Sequence, residues 1–208
     1  MSTVKKMRSD DEDDMTRFTL VMDAGQEEMW IALRELPRSG VTANDLAQFT
    51  GVSEGKAANY LAMLAGSKHA RKIGVSSTRE PVYVLVKHPI YPMVFDYDGE
   101  ESADFTLRKL VWVAVRTQKT FTLDKIFDFV REHMEARRSQ IERYLRLLCA
   151  ATYLYDITES SKRGGREWTL RPKMNTGPLP PRVCQAKLLY DINKRAFFGA
   201  IEAQEQML

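Results

Sequence analysis

Apolar residues recur at helical spacing from Gln26 to Leu36, where Met29, Trp30, Leu33 and Leu36 share one face, and Pro37, Ser39 and Gly40 end the run. Thr42 is placed to cap a short helix over Ala43–Phe49, with Leu46 and Phe49 turned inward. Gly51 supplies a turn. Ser53 then caps a third helix from Glu54 to about Ala65, whose inward positions are Ala57, Leu61 and Leu64. Beyond Gly66 the period shortens to two, through Ile73 and Val75 and then Val82 to Val86, with Ser76–Pro81 as a hairpin tip.

The order helix, helix, turn, helix, hairpin then returns. Leu110, Val111, Val113 and Ala114 mark an apolar helix over Leu107–Arg116. Phe121-Thr122 stands 80 positions after Val41-Thr42 and opens a helix over Leu123–Arg131, with Ile126, Phe127 and Val130 apolar. Arg138–Ala150 forms the third helix. Its Tyr144-Leu145 and Leu148 stand 84 positions after Tyr60-Leu61 and Leu64. Ile157 keeps that offset from Ile73, and Leu170 follows Leu85 by 85 positions. The repeat therefore has a period of 80 to 85, with about four residues inserted between its second and third helices.

The short second helix, the glycine turn and the capped third helix resemble a helix-turn-helix, and the hairpin that follows resembles the wing of a winged helix-turn-helix domain. The resemblance covers 24–87 and, through the repeat, 104–172. The expected fold class is mainly α with small β hairpins (α+β), as two tandem winged helix-turn-helix domains plus an extended C-terminal tail. Residues 1–23 carry the acidic run Ser9 to Asp14 and are expected to be disordered, because like charges repel and little there can be buried. Residues 88–103, with Pro89, Pro92 and the acidic stretch Asp96 to Glu101, read as a linker. Residues 173–208 read as a proline-rich linker and then a C-terminal helix or hairpin, between which periodicity does not decide. Leu188, Leu189, Phe197 and Phe198 in that tail need a partner, either the domains themselves or a second subunit in a homodimer. The tail, with its prolines and Tyr190-Asp191, resembles tails of small phage and prophage DNA-binding proteins over about 30 residues.

Composition narrows the function classes. Of 208 residues 44% are hydrophobic and 28% charged, an ordinary soluble balance. No apolar run reaches the ~20 residues that span a membrane, and no basic-then-apolar leader opens the chain, so a cytoplasmic setting without membrane contact is expected. Cys149 and Cys184 form no metal or redox motif, and His69, His88 and His133 fall in different elements, so neither metal nor cofactor is expected. Glycine-rich phosphate loops, nucleophile elbows and helical metal motifs are missing, which argues against an enzyme. The net charge of +3 is unevenly spread: residues 24–102 sum to −2 and residues 103–181 to +6. That asymmetry points to a polyanionic partner for the second half.

The third helix of the second repeat carries the most informative cluster: Arg137, Arg138, Ser139, Gln140, Arg143 and Arg146. In a helix-turn-helix this helix enters the major groove. There arginine can pair with guanine and glutamine with adenine. Ion pairs of Glu142 with Arg138 and Arg146 are the alternative use of these side chains. Lys162, Arg163 and Arg166 beside Gly164-Gly165 suit phosphates flanking the groove. In the first repeat Lys56, Asn59 and Arg79 hold the corresponding places, but Glu54 stands where Arg138 would be, so that domain either binds DNA weakly or contacts protein. Trp30, Phe49, Trp112, Phe127 and Trp168 read as core rather than as stacking platforms. The resemblance implies binding of double-stranded DNA and a role in transcription regulation, in a bacterial cell or a phage-infected host. Two other classes remain open: a replication initiator or accessory protein, and a protein–protein adaptor of the kind found in chromosome segregation.

Overall fold

The structure is a computed structural model that describes residues 20–21, 25–158, 165–191 and 196–205, with side chains over 25–158 and 165–184. Strand β1 (Leu20–Val21) precedes helix α1 (Gln26–Glu35). Helix α2 (Ala43–Thr50) starts at Thr42, whose hydroxyl accepts from the Asp45 N–H while the Asp45 carboxylate accepts from the Thr42 N–H, a reciprocal cap. Gly51 closes α2 in the left-handed conformation, φ 77°. Ser53 caps helix α3 (Glu54–Gly66). Strands β2 (Ala70–Val75) and β3 (Pro81–Leu85) form an antiparallel hairpin, and Val41 bridges to Tyr83 on β3.

The second copy runs through helix α4 (Ala103–Thr117), strand β4 (Phe121–Thr122), helix α5 (Leu123–Arg131), helix α6 (Arg138–Ala150) and strands β5 (Leu154–Asp156) and β6 (Glu167–Leu170). The sheet order is β4-β6-β5, antiparallel throughout. The two copies agree at the level of single hydrogen bonds. Phe121 pairs with Trp168 as Val41 pairs with Tyr83, and Leu154 with Leu170 as Ala70 with Leu85. Lys68 and Thr152, 84 positions apart, both take φ 62° at the exit from the third helix. The next residues, His69 and Tyr153, each send their N–H back to the carbonyl of Leu64 or Leu148. The inserted residues lie mainly between α5 and α6, where 132–137 replace the three-residue turn 51–53.

Each copy closes around its own buried cluster. Trp30, Leu46, Tyr60, Leu61 and Leu64 centre the first; Val111, Trp112, Phe121, Ile126, Tyr144, Leu145 and Leu148 centre the second. Several expectations change. Phe49 does not face inward but is 55% exposed, because Ala43, Leu46 and Ala47 already fill the α2 stripe and position 49 lies one step off it. Helix α4 begins four residues earlier than its apolar pattern suggests, because the Ser102 hydroxyl accepts from the Phe105 N–H and caps it there. Part of the 88–103 segment is core rather than linker: Met93 and Phe95 are buried in the first cluster. The carboxamide of Gln26 also pairs with Phe95, its Nε2 donating to the Phe95 carbonyl and its Oε1 accepting from the Phe95 N–H, both at 2.8 Å.

Residues 173–183 likewise pack back. Trp112 Nε1 donates to the Gly177 carbonyl at 2.9 Å, and Val183 is buried in the second cluster. The tail then resolves as an antiparallel hairpin of β7 (Cys184–Asp191) and β8 (Ala196–Glu205), not a helix. Leu20–Val21 lies parallel to β8, so the expectation of disorder over 1–23 fails at these two residues; the acidic run Ser9–Asp14 lies outside the described residues. Six α-helices with small sheets of two and three strands make a mixed α+β fold among the described residues. No helix in them is long and apolar enough to cross a membrane.

Candidate nucleic-acid interface

Helix α6 fixes its apolar stripe first. Ile141, Tyr144, Leu145 and Leu148 are buried, spaced at three, one and three residues, so the opposite face is solvent-facing. Ser139, Arg143 and Arg146 are exposed on that outer face and line a shallow depression with Glu142, Leu147 and Ala150. Arg146 reaches Glu142 at 2.5 Å, one helical turn away. Arg143 is exposed and has no ion-pair partner among the described residues.

The first turn of α6 is committed differently from the sequence expectation. Arg138 does not pair with Glu142. Its guanidinium bonds the Asp124 carboxylate at the start of α5 and lies over the Phe127 ring, 5.7 Å from the centroid. Asp124 and Phe127, on one face of α5, offer a carboxylate and a ring together, and Arg131 lies over the same ring at 5.5 Å. Arg138 therefore acts as a strut between α5 and α6. Gln140 is also engaged: its Oε1 accepts the Arg137 N–H at 3.2 Å, which caps the helix. Reading an adenine with both amide atoms would require that cap to open. Arg137 itself is exposed at the cap position.

At the second hairpin, Lys162 and Arg163 lie outside the described residues. Arg166 is exposed at the base of the hairpin. Its charge acts on two neighbours. Asp156 accepts from the Thr158 hydroxyl and from the Thr158 N–H at 2.8 Å; these bonds, with a smaller contribution from Arg166, hold its carboxyl below the usual range. The Thr158 hydroxyl oxygen also accepts from the Glu167 N–H at 2.9 Å, tying the two strands at the base. Burial raises the Cys149 thiol, and Asp156 reinforces that shift against Arg166.

In the first copy, Lys56 and Asn59 are exposed on α3 and Arg79 sits exposed at the hairpin tip with φ 67°. The α3 positions matching Arg143 and Arg146 are Asn59 and Ala62, and Gly55 and Ala58 lie beside them. The two third helices thus share a backbone plan and differ in charge: α6 has an arginine-rich outer face and α3 a small, nearly neutral one. Neither Asp124 nor Phe127 stood out in the sequence as part of this surface. The signal was a helix-start acid and an aromatic one turn later, a pattern that also suits an ordinary amphipathic helix. No group of histidine, cysteine and carboxylate side chains among the described residues could hold a metal ion. No family model matches the chain, and the search of curated proteins finds no relative.

Proposed function

We propose that the chain is a tandem winged helix-turn-helix protein that binds double-stranded DNA and regulates transcription. In this reading α6 lies in the major groove, Arg143 contacts a base edge, and Arg137 and Arg146 contact phosphates. Ser139 contributes a further polar contact. Lys162, Arg163 and Arg166 meet the backbone beside the groove. Arg138 is assigned to holding the angle between α5 and α6, and Gln140 to the helix cap. The first copy, with Lys56, Asn59 and Arg79, adds a weaker contact.

The observation that carries the reading is the outer face of α6. It presents Arg143 and Arg146 to solvent, immediately after a capped turn from α5, in the half of the chain that holds the excess positive charge. Glu142 pairs with Arg146, a contact that a phosphate would have to replace, and Arg143 is exposed with no ion-pair partner among the described residues. The test is fluorescence anisotropy of a labelled random-sequence duplex across a salt series. Affinity that falls steeply with salt supports the reading, because released counter-ions give a slope of about 0.9 per neutralised phosphate. No binding at the lowest salt overturns it, and the exposed face of α6 would then be a protein-docking surface.

A further inference from the structure

The tail hairpin belongs to a sheet of order β1-β8-β7, so β7 is an edge strand whose outer side pairs with no strand among the described residues. On the far side, β1 pairs with β8 at Leu20 and Val21 alone. A hairpin with so little added pairing is marginal in water, and further strands stabilise it. Free edges are normally blunted by prolines, bulges or charges. Strand β7 (Cys184–Asp191) contains no proline. The irregularity in its ladder falls on β8, where 199–201 stand against Leu188 alone, so β7 itself runs on without an inserted residue. Its charges are Lys187 and Asp191, of opposite sign and four positions apart.

We propose that β7 pairs antiparallel with β7 of a second copy of this chain, about a two-fold axis at Leu189, and joins the two sheets into one. A two-fold between antiparallel strands sets one residue opposite itself, and the charges of β7 select which. With Leu189 on the axis, Lys187 stands opposite Asp191 of the second copy and Leu188 opposite Tyr190, each pair occurring twice. With Leu188 on the axis, Lys187 faces Leu189 and Asp191 faces Gln185. With Tyr190 there, Asp191 faces Leu189, and with Lys187 there, the two lysines face each other. Unlike charges directly opposite favour a strand pair, and like charges oppose it. The lysine that would keep an ordinary edge apart is therefore answered by the aspartate of the same strand. The outer edge of β8 is the poorer choice, because it carries the irregularity and is partly taken by β1. A contact of this symmetry closes at two copies.

The test is sedimentation of the full chain at low salt, where exposed charges are least screened. The natural chain is expected to reach twice the mass of one copy as its concentration rises. K187D sets acid against acid and D191K cation against cation, twice per dimer, so each variant alone is expected to dissociate about tenfold more readily. Mixed in equal amounts, the two variants restore unlike charges at both places, and the mixture is expected to dimerise more tightly than either alone. In D191K the substituted position faces Ala196 within its own hairpin and the pairing of Lys187 with Glu202 is kept, so its loss of dimer is not a loss of the hairpin. The proposal is overturned if the natural chain stays single at every concentration, which would leave the edge to an extended segment of another protein. It is equally overturned if the natural chain grows beyond two copies, if D191K dimerises as the natural chain does, or if the mixture is no tighter than its parts. No DNA is present in this experiment, so its outcome is separate from that of the anisotropy series.

Discussion

Tyr60 and Tyr144, 84 positions apart, make the same bond: each hydroxyl donates at 2.8 Å to a main-chain carbonyl of the segment that follows its own hairpin, Met93 for one and Pro181 for the other. Both rings are buried at the centre of their clusters. The pair explains why the segments after the hairpins are part of the fold rather than loose connections. Each returning strand of chain is held by a tyrosine from the third helix.

Removing either hydroxyl strands a carbonyl. Y60F and Y144F are each expected to destabilise the chain by about 1–3 kcal/mol, read as a lower denaturant midpoint at unchanged slope. Burial pushes both phenols well above their ordinary value, with the Glu27 charge reinforcing it at Tyr60 and Arg108 partly opposing it at Tyr144. A raised folded-state pKa stabilises the fold below the unfolded value of about 10 and loses that contribution as pH rises further. Stability should therefore drop above about pH 10, and less steeply in each phenylalanine variant. An equal alkaline loss in Y60F, Y144F and the natural chain would contradict this.

Arg182, just before Val183 of the second cluster, reaches α1 of the first copy and bonds Glu27 at 2.9 Å and Glu28 at 2.5 Å. Arg182 and Glu27 are nearly buried, so breaking the pair leaves a charge with little solvent. R182A should cost about 3 kcal/mol. Burial alone would raise the Glu28 carboxyl, but the Arg182 bond and charge outweigh it and hold the group below its ordinary value. A depressed carboxyl contributes stability above its unfolded pKa and loses it as pH falls. Acid unfolding of R182A should accordingly start from lower stability and show a shallower dependence on pH below about 4.5.

Gly40 and Gly55 should respond in opposite directions to alanine. Gly40 has φ 137°, and a Cβ there would stand 2.4 Å from Val82 Cγ1. G40A is expected to lose about 2 kcal/mol or more from strain and clash together. Gly55 lies in α3 with nothing within 4 Å of its Cβ position. G55A should gain about 0.5–1 kcal/mol from helix propensity. Thermal midpoints of the two variants check both signs.

Arg138 and Arg143 should separate by readout. R143A is expected to weaken binding to the preferred duplex by about 1–3 kcal/mol and to relax one base position. R138A removes an exposed pair worth about 0.2–1 kcal/mol of stability. It should weaken all sequences alike by loosening α6 against α5. Site selection with both variants distinguishes these effects, and identical sequence profiles would contradict the base-reading role of Arg143.

Much of this arrangement was legible in the chain itself. Caps carry strong local signals, so Thr42, Ser53 and Thr122 located three helix starts, and the bounds of α5 and α6 match the pattern read from their residues. Ser102 was the cap that apolar spacing obscured, since Ala103 and Asp104 add nothing to a hydrophobic stripe. The long-range pairings were not legible. Phe95 reads as an apolar residue among prolines and acids, and only the Gln26 carboxamide, 69 positions away, shows why it is buried. The tail was undecided because its residues suit either period. At the candidate interface, Arg143 is exposed opposite the buried Ile141, Tyr144, Leu145 and Leu148, a placement that the three-and-four spacing of those apolar residues carries. The engagement of Arg138 by Asp124 and Phe127 depends on how α5 crosses α6, which no single helix pattern encodes.

The most direct test of the DNA-binding account is the salt dependence of duplex binding by the natural chain and by R143A, measured side by side by anisotropy. The account predicts tight binding at low salt, a steep fall as salt rises, and a clear loss of affinity in R143A at every salt concentration. Failure of the natural chain to bind at low salt, or binding that R143A leaves unchanged, would contradict it.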